Sequence, residues 1–586
     1  MTTPLEAALQ EREDLDVYGK AKRTLFALQL TLGLDDVHTV ATSVLTDGPD
    51  DKSCDLIYVD RDSNTVVIAQ GYEADATTTK QQAPGNKAAS VHQAVNWVLG
   101  DHAEDAVPER LRSARKEVHE ALGDGVVQTL EIWFVHNLPE SVQNATELKS
   151  AATAAASTIK GRYPDAEVDV VATEIGLETL GDRYEGSQTP ILITEEFDIP
   201  VSGAFTEAGE NWTAVCTSLE GGWLRDQFTK HKERLFSANI RGYLGSTRSQ
   251  NNINNGIQQT ARTEPKQFWA YNNGITALVN GFDVADDGTQ VTVRGLAIVN
   301  GAQTTGSLGS VADDSVKEGR VLARFIKCDD PSTVQEIIRF NNRQNPTQAA
   351  DFRSNDRVQS RLVQEFHDLG VVGYNGGRRG GAEDVIRRPG ANQILATVAA
   401  QALAAYHGAP DVAYHQKGQI WEADSTYSSV FPERTTARHI MLACALMRAV
   451  EEQKTALTSK ATDTLSNDDK DLMAWFSLRG STFLAVTAVG SVAESILNKT
   501  IGDLYDLKFK KSDITLHEAV AAWQPTVQAA LALAPSQLTA PLNATGALRN
   551  KAALETAIAG FRGVFNATAA VNRPIYEALA GQLTLN

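Results

Sequence analysis

Three short stretches crowd amides, hydroxyls and glycines against apolar flanks: FWAYNNGITALVNGF (268–282), RGLAIVNGAQTTGSLGSV (294–311) and EIIRFNNRQN (336–345). In the first, Asn272, Asn273 and Gly274 are residue types that tolerate positive φ, and the local reading is a hairpin turn. In the second, a strand ends at Val299, Asn300-Gly301 makes a turn, and Gln303, Thr304 and Thr305 open a helix. Free N–H groups at a helix start attract anions such as phosphate, and glycine lets a ligand or another backbone come close. Thr304 and Thr305 can cap that helix or donate to an oxygen ligand, and an ordinary strand-to-helix connection accounts for the same letters. The third stretch adds Asn341, Asn342 and Arg343. A buried amide without a partner costs about 1–3 kcal/mol, so this many amides imply mutual bonding or a polar ligand. A nucleobase or a phosphate suits them.

Positive charge lies nearby in sequence. Arg225, Lys230, Lys232, Arg234, Arg241 and Arg248 form one group, and Arg339, Arg343, Arg353, Arg357 and Arg361 another. The segment GYNGGRRGGAEDVIRRPG (373–390) carries Arg378 and Arg379 among glycines, which suits either phosphate contacts or a flexible hinge. The whole chain has a net charge of −19, which repels a phosphate backbone at long range. A confined basic groove is therefore expected, not an extended track.

Other chemistries fall away. There is no GxxxxGK[ST], no HExxH and no GxSxG, and the four cysteines are far apart with no CxxC. The acidic N-terminus has no signal-peptide core, and STFLAVTAVGSVAESIL is too short and polar for a membrane span. A cytoplasmic protein with no membrane partner is expected.

The elements that must position these residues form three blocks. At 586 residues, 42% hydrophobic and 22% charged, the chain is globular and too long for one core. Residues 1–190 alternate helix and strand as an α/β domain. Residues 191–384 carry the strands NWTAVCTSLE, ITALVNGFDVA, TQVTVRGLAIV and RVLARFIKC between helices and Asn/Gly-rich loops. Residues 385–586 read as mainly helical.

Four segments, LFSANIRGYLG (235–245), FWAYNNGIT (268–276), IVNGAQTTGSL (298–308) and RFNNRQNPTQAADFRSNDRVQSRL (339–362), closely resemble in order and spacing the AIPR family of bacterial abortive-infection phage-resistance proteins. The resemblance implies antiviral defence, a central AIPR domain over 191–384, and one pocket where these segments converge. Nucleic acid or nucleotide is the implied ligand, with a homo-oligomer or other defence-system proteins as further partners. The strand–Asn-Gly-Ala-Gln–helix element is also similar to that of ParB-like nucleotide-binding domains, although Thr304-Thr305 stands where those often carry His-Arg.

AIPR-like proteins often carry an N-terminal domain similar to restriction endonucleases of the PD-(D/E)xK type, with αβββαβ order. By that resemblance Asp55 in CDLIYVDRDSNTVVIAQGYEAD is the first acid and candidate metal ligand, and Gln70 opens the (E/Q)xK triplet. Together they would hold Mg²⁺. The triplet reads Gln70-Gly71-Tyr72, so the lysine is missing, and Lys80 is the nearest downstream substitute. An intact nuclease, a degenerate nuclease fold used for binding, and an unrelated α/β domain all remain open at this point, as does a nucleotide-hydrolysing regulator that uses only the central site.

Overall fold

The computed structural model describes residues 3–34, 36–46, 51–74, 82–188, 190–239, 251–311, 314–341, 353, 356–376, 392–458, 460 and 465–585. The fold is mixed α/β. Near the N-terminus, helices α1 (Pro4–Glu11), α2 (Lys22–Leu32) and α3 (Val37–Val44) precede strands β1 (Leu56–Asp60) and β2 (Thr65–Tyr72). The β-branched run of β2 is buried through its first six residues, as a central strand should be. Helices α4 (Gly85–Leu99) and α5 (Glu109–Gly123) then lead to β3 (Thr129–His136), and α6 (Val142–Arg162) to β4 (Asp169–Ile175); α7 (Leu177–Gln188) follows. Ser141 caps α6 by accepting from the Asn144 N–H.

The sheet order is β1-β2-β3-β4, antiparallel at the first pair and parallel at the next two. Only two strands precede the first crossover helix, where the αβββαβ expectation has three. An isolated Leu45–Leu56 bridge is all that pairs on the outer side of β1 among the described residues. Apolar side chains of α4, α5 and α6 cover one face of this sheet, and those of α1, α2 and α3 the other.

The central sheet holds β5 (Ile193–Pro200), β6 (Ala204–Ala208), β7 (Trp212–Glu220), β8 (Ile275–Val279), β9 (Gly281–Val284), β10 (Gln290–Asn300) and β11 (Arg320–Cys328). Its order is β5-β10-β8-β11-β7-β6, with β9 also on β10; β8 runs parallel to β11, and the other pairs are antiparallel. Helix α8 (Gly221–His231) and the helices Asn251–Thr263 and Ala302–Gly309 contribute apolar residues to the core on one face. On the other face, Val334, Ile337 and Ile338 of the helix Pro331–Asn341 pack on Ala214, Leu278, Val299 and Ile326.

The remaining chain is helical, around Ala396–Tyr406, Ala437–Thr458, Ser481–Ser491 and Leu516–Leu531. Leu362, Phe366, Val372 and Tyr374 also pack into this core. Among the described residues no single helix is long and apolar enough to cross a membrane.

A polar seam joins this helical region to the N-terminal α/β region. Arg448 pairs with Asp36 at 2.7 Å, and the Thr39 hydroxyl donates to Glu451 at 2.7 Å. Lys417 donates to the Tyr58 hydroxyl at 2.7 Å and lies 3.4 Å from Asp60, while the Gly418 N–H donates to Asp62. Arg479 donates to the Ile57 carbonyl at 2.7 Å and lies 3.8 Å from Glu117. Burial and the neighbouring Asp60 raise the Asp62 carboxyl to about 6.

Lys454 is buried beside the seam, and burial, followed by the charge of Arg479, lowers its ammonium to about 7. A depressed amine pKa means that the unfolded chain binds more protons between about pH 7 and 10.5, so stability rises with pH across that window. Lys454→Met should therefore stabilise the protein by roughly 1–3 kcal/mol at pH 6 and by progressively less towards pH 10. Denaturant unfolding at a series of pH values checks this, and a pH-independent difference would contradict it. Arg448→Ala, which leaves the buried Asp36 without its ion-pair partner but with its bond from the His38 N–H, should cost roughly 3–5 kcal/mol in the same measurement.

Candidate functional site

The stretch Asn272–Gly274 joins the short helix Phe268–Tyr271 to β8, so it is a helix-to-strand connection and not a hairpin. The Asn272 side-chain Oδ1 accepts from the Gly274 N–H at 2.9 Å and from the Thr304 hydroxyl at 3.0 Å. One amide thus closes its own turn and fastens it to the helix Ala302–Gly309. Gly274 has φ +77°, and a Cβ there would overlap the Leu322 carbonyl oxygen of β11. Gly301 has φ +95°, and a Cβ there would lie 2.6 Å from the Gly274 carbonyl oxygen and 2.7 Å from Ile275 Cγ2. The two glycine turns are packed against each other through bare backbone.

Strand β10 runs one residue further than expected, through Asn300, and Gly301 alone makes the turn into the helix; the threonines do not cap that helix. Gly301 is the N-cap residue and no side chain bonds there. Thr305 is fully buried, and its hydroxyl donates back to the Gly301 carbonyl at 2.9 Å. Thr304 is buried on Asn272. Both hydroxyls serve the scaffold because the glycine turn brings the second segment against them. Asn273 and Asn300 are exposed, and Gln303 is half-buried.

One residue that the sequence reading did not single out connects the third segment. Arg324, at the middle of β11, donates to the Thr276 hydroxyl at 3.1 Å and to the Asn341 carbonyl oxygen at 3.0 Å. Asn341 in turn donates to the Ile337 carbonyl. Arg324 forms no ion pair among the described residues, so its charge is exposed and uncompensated. The signal that could have found it is a lone arginine inside the otherwise apolar ARFI of a sheet strand. Thus Asn272, Gly274, Gly301, Thr304 and Thr305 meet directly, and Asn300 and Asn341 reach the same strand ends through Thr276 and Arg324. Arg241, Asn342, Arg343, Arg378 and Arg379 lie outside the described residues.

At the N-terminal candidate, Asp55 and Gln70 are adjacent in space but are held by their own scaffold. Asp55 Oδ2 accepts from the Gly71 N–H at 2.6 Å. Gln70 is buried and its Oε1 accepts from the Ser90 hydroxyl at 2.9 Å. The nearby cation is Arg23, a buried side chain on α2 that lies 3.0 Å from Glu6 and 3.1 Å from Glu73. Lys80 lies outside the described residues. A Mg²⁺ ion requires several oxygen ligands in octahedral array. Among the described residues no group of three or more His, Cys, Asp or Glu could hold a metal ion, so this region does not fit one held by such a set.

A family model described as AIPR protein matches residues 236–529, just over half of the chain. No curated protein and no solved structure matches it. The match takes in both glycine turns, Arg324 and Asn341, and continues into the helical region.

Because both turns sit at positive φ with backbone in the Cβ position, Gly274→Ala and Gly301→Ala should each destabilise the fold by roughly 2–4 kcal/mol. Thr304→Val, which removes only the bond to Asn272, should cost about 1 kcal/mol. Thermal unfolding of the three variants checks the order. A Gly274→Ala variant as stable as the parent would show that the two turns are not tightly packed.

Proposed function

This chain belongs to the AIPR family, which supports a role in phage resistance by abortive infection, and from that premise we propose that its central site binds nucleic acid or nucleotide. Arg324 carries the reading. An exposed guanidinium, bonded to a hydroxyl and an amide and lacking a carboxylate partner among the described residues, retains donors and full charge for a phosphate. Asn341 bonds to it and Asn300 pairs with its partner Thr276, while Asn273 and Gln303 stand at the glycine turns; together they supply donors and acceptors suited to base edges or sugar hydroxyls. The start of the helix Ala302–Gly309, behind Gly301, adds N–H groups whose dipoles favour an anion.

For the N-terminal region, a domain that has lost metal-dependent cleavage is favoured over an active nuclease. The supporting observations are that Asp55 and Gln70 are held by the Gly71 N–H and the Ser90 hydroxyl, and that Arg23 pairs with both Glu6 and Glu73, the residue after Tyr72. A cation fixed between carboxylates opposes Mg²⁺ binding there.

Arg324→Gln should weaken binding of nucleic acid or nucleotide by roughly tenfold, the equivalent of about 1.4 kcal/mol, while the loss of its bonds to Thr276 and Asn341 costs only about 1 kcal/mol of stability and leaves the protein folded. Gln303→Ala should weaken it less. Unchanged affinity in both variants would assign these residues to scaffold roles. Incubation with DNA and RNA in Mg²⁺ or Mn²⁺ should give no cleavage. Cleavage that Asp55→Ala abolishes would instead restore the nuclease reading.

A further inference from the structure

The central sheet carries a row of side chains that runs well beyond the two glycine turns. Phe205 of β6 is in register with Cys216 of β7, Cys216 with Arg324 of β11, Arg324 with Thr276 of β8, and Thr276 with Asn300 of β10. Residues opposite one another across neighbouring strands project from the same face, so Phe205, Cys216, Arg324 and Thr276 line one side of the sheet, and Asn300 ends the row beyond a register shift in β10. It is the side on which the helix Pro331–Asn341 covers Ala214, Leu278 and Ile326. Beyond that helix the face is open: Phe205 is 61% exposed, Leu322 39%, and Arg324 and Asn300 are exposed as well. Two further aromatics, Trp269 and Tyr271, are exposed on the short helix that feeds β8, and Phe340 is exposed next to Asn341.

An aromatic ring in water on a sheet face is costly to keep unless something covers it, and here one ring, Phe205, shares the row with a guanidinium. We propose that this face is a platform for single-stranded nucleic acid. Bases would stack on Phe205 with Arg324 at a neighbouring phosphate, and Tyr271 and Trp269, on the helix that enters β8 beside Leu322, would offer further rings. The inference rests on the binding function proposed above and adds the class of ligand. Four strand spacings make the row about 19 Å long, which exceeds one nucleotide and matches roughly five bases at a stacked rise of about 3.4 Å. A duplex hides its base faces and is held chiefly through phosphates, which a chain of net charge −19 disfavours. The acidic side chains on the same face are Glu196, Asp198, Glu207, Glu220 and Asp283; Glu196 and Asp283 pair with Arg294, Asp198 accepts from the Thr292 hydroxyl, and Glu220 lies 3.7 Å from Arg320.

The test is fluorescence anisotropy on the full chain with labelled single strands of three, six and twelve nucleotides, as DNA and as RNA, and with the matching twelve-base-pair duplexes. Single strands should bind at least tenfold more tightly than duplexes, with affinity rising between three and six nucleotides. Phe205→Ala, at an exposed position, should reduce that rise by roughly fivefold, the loss of one stacking contact of about 1 kcal/mol. Arg324→Gln should weaken every length. If Arg324→Gln weakens binding but Phe205→Ala leaves the length dependence intact, the platform is wrong and the local binding site stands. Duplex binding as tight as single-strand binding also overturns the platform. If no probe binds and Phe205→Ala instead changes the oligomeric state, the face is a protein interface and both readings fall.

Discussion

The central site depends on a contact that contains no side chain at all. Gly274 rests on the Leu322 carbonyl of β11, and Gly301 rests on the Gly274 carbonyl. Three strand ends, β8, β10 and β11, can therefore meet with their connecting turns almost touching. Any Cβ at either position would push the turns apart, because its space is already occupied by backbone. With the turns in place, the Asn272 side-chain Oδ1 is within reach of Thr304, and Arg324 can bridge Thr276 and Asn341. The polar groups of three separate segments share one surface because the backbone approach allows it.

A different constraint ties the first and last parts of the chain. Asp36 with Arg448, Lys417 with Asp60, and Arg479 with Glu117 link residues several hundred positions apart; Asp36, Arg479 and Glu117 are buried and the other three at least half-buried. Buried pairs of this kind gain little over an apolar contact but are costly to break singly, so they fix how two surfaces meet. Not every charge along the seam is matched. Asp62 and Lys454 are pushed towards their neutral forms by burial, and the stability of the seam consequently varies with pH.

In the N-terminal region the comparison with an endonuclease divides along the same lines. The hairpin is present, and Asp55 and Gln70 are close together on it, but the Gly71 N–H and the Ser90 hydroxyl occupy their oxygens. The positive charge comes from α2 through Arg23 instead of from the position of the missing lysine. An arginine bridging two carboxylates is a stable polar cluster in its own right.

Much of this was legible in the sequence. Period-two runs such as RVLARFIKC and TQVTVRGLAIV marked their strands because alternation is imposed by the pleat itself. Val299 followed by Asn300-Gly301 marked a strand end and turn because few residues tolerate positive φ. The four family segments identified the family through local patterns alone, and the family match bears that out. The hairpin reading of Asn272–Gly274 did not hold, because the preceding aromatics form a helical turn that local pattern does not distinguish from a strand. The capping reading of Thr304 and Thr305 did not hold either, since it is the approach of Asn272, 32 residues away, that occupies one hydroxyl. Arg324 was invisible because its importance lies in register: only pairing of β11 with β8 and β7 sets it beside Thr276 and in line with Phe205. Local preference, which acts over a few residues, determined the elements and the turn chemistry. Which of those turns touch, and which charges meet, was decided only when non-local strands paired.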